Sequence, residues 1–176
     1  GEMEKAIQKS AKGIKLHSIT KKPKPSGKAM SPKEKEFMAQ NEFNKWVDHC
    51  YLLMGKAYFI KRDYLQARQN LEYALRQYPN SKAQPEIAMY LVRTFCEDKK
   101  FKEAKEVLDK IDSDKKIDKK TEGYYAAVCA DYYLKQNNRE DAAEKLKIAV
   151  EKTKKRTDKL RYTYILAQLS EKDNNL

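Results

Sequence analysis

The chain has 176 residues, 36% charged and 40% hydrophobic, and its 38 lysines and arginines against 26 acidic residues leave a formal net charge of +12. That mixture suits amphipathic helices around a modest core. Five glycines and five prolines are too few for a many-turned all-β fold, and no apolar run of about 18 residues is present to span a membrane as a helix.

The basic excess would suit an anionic partner, whether nucleic acid, an anionic lipid surface or an acidic protein. Acidic and basic residues interleave almost throughout, however, as they do on solvated helix faces. Cys50, Cys96 and Cys129 are an odd number without a CxxC pair. They read as small buried hydrophobes, with neither a disulfide framework nor a zinc site. Gly1 has no initiator methionine before it, and the natural N-terminus is expected to lie further upstream.

Residues 1–18 predict a helix with Ile7, Ala11, Ile14 and Ala6 on one face. Alone it cannot bury that face, so it is expected to pack against the first full hairpin that follows. Residues 19–43 hold a basic linker, KKPKPSGK, with too little apolar surface to order itself, and then a short helix. Ser31-Pro32-Lys33-Glu34 supplies an N-cap serine, a proline in the first turn and a glutamate at the third position, which is a capping box. A break is expected around Asn41 to Asn44. Phe43 and Trp46 are then placed on the first turn of the next helix, covering its junction with the N-terminal one.

Residues 44–79 carry the strongest pattern in the chain. Tyr51, Met54, Gly55 and Tyr58 recur at helical spacing on a first helix, then Ala67, Leu71 and Ala74 on a second, and Pro79 stops it. Gly55 and Ala67 are too small to hold two helices apart, so they mark the crossing. Aligning Ala104 with Ala67 places Ala88, Leu91, Val92, Phe95, Leu108 and Ile111 at matching offsets within residues 80–116. Val92 stands where the first hairpin has glycine, and the surplus length fits the loop Pro79–Gln84. Within residues 117–156, Ala142 aligns in turn with Ala126, Cys129, Ala130, Tyr133, Leu146 and Ala149, with Asn138 as N-cap and a long linker, Asp112–Lys120, before it. Residues 157–176 add a stripe of Tyr162, Ile165, Leu166 and Leu169, with Ala167 at the glycine position and no second helix. We expect the chain to be a fragment of a longer protein.

These offsets resemble the tetratricopeptide repeat. The resemblance implies an all-α helix-turn-helix solenoid, a right-handed α-α superhelix of about three repeats with partial units on both sides. It also implies a concave groove lined by the first helix of each repeat. The groove positions are His49, Leu52, Lys56 and Phe59, then Glu86, Met89, Arg93 and Cys96, then Tyr124, Ala127, Asp131 and Leu134, and finally Arg161, Tyr164 and Gln168. Apolar and aromatic residues between fixed charges suit an extended peptide able to pair with Lys56, Arg93 and Asp131. No cofactor is expected. There is no glycine-rich phosphate loop, HExxH or EF-hand spacing. His17 and Ser18 are sequence neighbours and cannot face each other as base and nucleophile. Nucleic acid is an unlikely partner, because the tyrosines needed for stacking occupy core offsets.

A narrower resemblance rests on Ile14–Ile19 (IKLHSI), on Trp46-Val47-Asp48 with Tyr51–Lys56 (YLLMGK), and on Arg161–Leu166 (RYTYIL). These segments resemble the tetratricopeptide region of the SprE/PorW-type lipoproteins of Bacteroidetes gliding motility and type IX secretion. That resemblance implies a non-catalytic scaffold in the periplasm, held at the outer membrane by a lipid anchor outside this chain and touching other secretion components. A cytoplasmic adaptor, or a basic module for nucleic acid or anionic lipid, is the alternative.

Overall fold

The computed structural model describes residues 1–24, 29–39, 42–44, 46–114 and 117–174. Among them are nine helices and no strand: α1 (Glu2–His17), α2 (Pro32–Met38), α3 (Val47–Ile60), α4 (Tyr64–Gln77), α5 (Gln84–Glu97), α6 (Phe101–Asp114), α7 (Glu122–Lys135), α8 (Arg139–Lys152) and α9 (Arg156–Asn174). This is the expected all-α class, built of paired helices. The chain divides into two compact units, residues 1–90 and 91–176, with the boundary inside α5.

In the first unit, α1 and α4 both pack on α3. The α3–α4 crossing is set by Gly55, where an added Cβ would lie 2.5 Å from Leu71 Cδ2 and 2.6 Å from its Cγ. Leu71 fills the space a larger residue would need, and Ala67 and Ala74, one turn to either side, are fully buried with it. So Gly55 meets Leu71 rather than the expected Ala67. Tyr51 lies beside α4 with its ring 4.8 Å from Tyr73 and 6.0 Å from Tyr78. As expected, α4 stops at Gln77 with Tyr78 as its cap, before Pro79. Beyond it Ser81 donates to the Asp48 carboxylate and so ties the 79–83 loop to the start of α3.

On the other side α1 buries Ile7 and Ser10, while Ala11, assigned to that face from sequence, is exposed. The capping box on α2 forms as expected, with Glu34 N–H donating to Ser31 Oγ and Ser31 N–H to the Glu34 carboxylate. α2 ends at Met38, ahead of the anticipated break, of which Asn41 lies outside the described residues. Phe43 and Trp46 are not on the helix covering the junction. Phe43 precedes it and packs edge-on against Phe37, while Trp46 caps α3 and is 59% exposed. The junction is instead closed by the buried carboxylate of Glu42, which accepts from the Ser18 hydroxyl and from the backbone N–H groups of Ile19 (2.6 Å) and Asn44 (2.8 Å). The basic linker is exposed at residues 19–24, and residues 25–28 of it lie outside the described residues.

In the second unit α7 packs on α8 and α8 on α9. Ala130, Ala142, Leu146 and Leu169 form a core, with Tyr162, Ile165 and Leu166 of α9 against it. Ala167 faces solvent. The loop expected over Asp112–Lys120 is shorter at its start, since α6 runs to Asp114. Gly123 was not singled out from sequence. An added Cβ there would sit 2.4 Å from Thr153 Oγ1 and 2.9 Å from its backbone nitrogen, so the start of α7 lies directly on the end of α8.

The turns between paired helices share one device. Arg62, Lys99 and Asn137 have φ of 62°, 57° and 60°. Each is followed by a residue whose N–H reaches back five positions, Asp63 to Tyr58, Lys100 to Phe95 and Asn138 to Tyr133. This is the left-handed helix stop that glycine usually occupies. Asp63 and Asn138 then cap the next helices by accepting from the N–H groups of Gln66 and Asp141, both at 3.2 Å.

Three outcomes are expected. Gly55→Ala should lower stability, because forcing the enclosed Leu71 aside, about 1–3 kcal/mol, outweighs the helix-propensity gain of about 1 kcal/mol. The penalty should shrink in a Leu71→Ala background, and denaturant titration of the cycle measures that coupling. Arg62→Gly or Lys99→Gly should each raise stability by about 1 kcal/mol, since glycine meets no steric penalty at positive φ. For Glu42, burial opposes ionisation, but the hydrogen bonds from Ser18, Asn44 and Ile19 outweigh it and hold the carboxyl below the usual glutamate range. Its stabilisation is therefore complete above the unfolded pKa of about 4.3 and fades as pH falls through the lower folded value. The melting-temperature gap between wild type and Glu42→Gln should narrow over that interval.

Candidate functional site

The first helices of the repeats carry the candidate groove residues, but only some of these reach solvent. Within the first unit, Leu52 is 4% exposed and Met89 fully buried, so both serve the core and neither can meet a partner. Phe59 is held in a ring cluster, 5.8 Å from Tyr64 and 5.9 Å from Tyr90. Lys56 is engaged internally, in an ion pair with Glu86 and with its ammonium 5.0 Å above the Tyr90 ring. The expected free cation is thus a structural one. His49 lies at the surface, its Nδ1 2.6 Å from Asp48 Oδ1 and its ring against Trp46. His49, Asp48 and Trp46 border a recess of about 560 Å³ that also takes in Glu42, Arg76, Tyr78 and Ser81. Trp46 is its exposed wall, and the sequence pattern hid it by suggesting a covered first turn.

Within the second unit the candidates come together. Arg93 at the end of α5, Tyr124 and Asp131 on α7, and Arg161 on α9 line one recess of about 190 Å³, with Ala127, Leu134 and Ile165 as its apolar part. Arg93 Nη1 donates to Tyr124 Oη at 3.2 Å. Lys135, one turn beyond Asp131, is bridged to Glu97 at 3.0 Å. Burial pushes the Asp131 carboxyl above its ordinary range, and the positive charges of Arg93, Lys135 and Arg161 pull only part of the way back. Glu97 and Tyr162, which the groove spacing does not mark, also line the recess. Tyr162 is half-buried, packing on the core of Ala130, Ala142, Leu146 and Leu169 while it borders the recess. Tyr164, a sequence candidate, is not part of this recess; it stands 64% exposed with its hydroxyl accepting from Gln168 at 3.1 Å.

A third recess of about 440 Å³ lies among α6, α7 and α8, bordered by Asp112, Tyr125, Cys129 and Lys145. Tyr125 donates to Asp112 at 2.6 Å. Burial pushes the Cys129 thiol up to about 11 and that of Cys96 up to about 12, so both stay protonated and unreactive at neutral pH. Cys50 is only half buried, in contrast to the enclosed site expected for it. Among the described residues no three His, Cys, Asp or Glu side chains are placed to hold a metal ion, and no helix is long and apolar enough to cross a membrane.

A comparison of the sequence with curated proteins finds no match. The sequence model of the tetratricopeptide repeat-like domain family matches residues 3–171, nearly the whole chain. Helical hairpins with small residues at their crossings and a left-handed stop between their helices agree with that match, and the chain belongs to the tetratricopeptide repeat-like domain family.

Proposed function

We propose that the protein is a non-catalytic interaction module whose second unit receives a segment of a partner protein. The observation that carries this reading is the convergence of Arg93, Tyr124, Asp131 and Arg161, from three helices, on one recess. At about 190 Å³ it is smaller than the several hundred cubic ångströms typical of cofactor and small-molecule sites. It suits one or two side chains of a peptide and the backbone between them. Arg93 and Arg161 offer donors for carbonyl or carboxylate oxygens, Asp131 accepts from N–H groups or a basic side chain, and Leu134 with Ile165 takes an apolar neighbour. Asp131 supports the reading from the side of stability. A carboxyl whose ionised form is disfavoured by burial does not strengthen the fold, so its presence fits a binding role.

The finer placement is an envelope-anchored scaffold of Bacteroidetes gliding motility and type IX secretion, with other secretion components as partners. It rests on the IKLHSI, YLLMGK and RYTYIL segments. Cell fractionation tests it: protein confined to the cytoplasm would overturn the placement while leaving the interaction reading intact.

The recess is tested by selecting peptides from a displayed random library. Arg93→Glu with Arg161→Glu should abolish enrichment of the peptides that wild type selects. Asp131→Asn should weaken their binding about tenfold, as expected for a lost charge-assisted bond, and leave the melting temperature unchanged or slightly raised. Peptides bound equally by wild type and the double variant would sink the assignment.

A further inference from the structure

We propose that the outward face of α1 docks on an anionic lipid bilayer, a role independent of the recess on α7 and α9. One side of α1 is committed to the fold, where Ile7 and Ser10 are buried and Met3, Ala6, Gly13 and Ile14 half-buried. At 100° per residue the opposite side carries Lys5, Lys9, Lys12 and Lys15, all exposed. None of these four has an ion pair or a side-chain hydrogen bond among the described residues. Lys56–Glu86, Lys61–Glu4, Lys105–Asp109 and Lys135–Glu97 show the pairing that these four lack. Of the two acidic residues in α1, Glu4 is taken by Lys61. Three more lysines follow within residues 21–24, all exposed. Residues 1–24 thus hold seven lysines against two glutamates, a disproportionate share of the +12 excess.

The apolar residues on this surface decide the kind of partner. Leu16 lies on the same side at the C-terminal end of the helix, one turn beyond Lys12, and is 59% exposed, and Ile19 just beyond the helix is 48% exposed. An exposed branched aliphatic side chain at the end of a row of lysines matches a headgroup layer, with phosphates for the lysines and acyl chains below for the leucine. Nucleic acid fits less well. Residues 1–24 contain no Phe, Tyr or Trp to stack on bases and no arginine for bidentate readout. The 16-residue helix, about 24 Å long, would lie flat on the surface while its other side stays packed on α3.

Flotation of the whole chain with vesicles tests this, using neutral phosphatidylcholine alone or with roughly one-third phosphatidylglycerol, at low salt and at about 0.3 M salt. Wild type should float only with the anionic vesicles at low salt and be released at high salt. Replacing Lys5, Lys9, Lys12 and Lys15 by Gln keeps helix propensity and should weaken binding at least about a hundredfold. The control Lys119, Lys120, Lys147 and Lys154→Gln, equal in net charge, should retain wild-type binding. Leu16→Ser should weaken vesicle binding several-fold and leave binding to a single-stranded oligonucleotide unchanged. Three results would overturn the proposal: no flotation of wild type at low salt, equal losses in the two quadruple variants, or tighter binding to the oligonucleotide than to the vesicles.

Discussion

The contact between Gly55 and Leu71 is the constraint from which the hairpin architecture follows. Two helices approach closely only where one lacks a side chain and the other fills the vacated space. Leu71 does so between Ala67 and Ala74, both fully buried. The same alternation recurs as Ala142, Leu146 and Ala149 on α8, while α6 buries Ala104, Leu108 and the larger Ile111 at matching offsets. Each second helix thus carries a buried stripe that begins on an alanine, and each stripe requires a first helix against it. Close packing of this kind makes the core sensitive to single methyl groups, since protein interiors have few voids to absorb them.

A second device works at the turns. Arg62, Lys99 and Asn137 adopt the same left-handed conformation, 37 and 38 residues apart, with the same five-residue back-bond after each. Three different side chains perform one backbone task, so the period is conformational before it is chemical. Asp63 and Asn138 then start the second helices by capping. Rigid hairpins present their outer side chains at fixed positions, and that allows residues distant in sequence, such as Arg93, Asp131 and Arg161, to share a recess.

The charged and apolar candidates divide by whether the fold consumes them. Lys56 is neutralised by Glu86 and covered by Tyr90, and Met89 is buried, so two positions with groove spacing serve the scaffold. Asp131 is the opposite case. Its carboxyl is held partly away from water near Arg93 and Arg161, and burial disfavours its ionised form. The four outward lysines of α1 are likewise left without internal partners, while Glu42 nearby, equally charged, is fully occupied in closing the N-terminal junction.

The sequence by itself determined the helical hairpins, the small residues at their crossings and the caps at Ser31 and Asn138. Gly55, the alanine stripes, Ser31-Pro32-x-Glu34, Asn138 and Pro79 act through local sterics and hydrogen bonds that a linear spacing reveals. It also located Arg93, Tyr124, Asp131 and Arg161, because a repeat offset specifies which side of a helix a residue occupies. Only the tertiary structure decided which of those positions remain open. Burial depends on what a neighbouring helix brings, as Tyr90 and Glu86 do to Lys56. Glu42 closing the junction, Trp46 standing exposed and Gly123 seated on Thr153 are all contacts between residues far apart in the chain, and no periodicity within one helix encodes them.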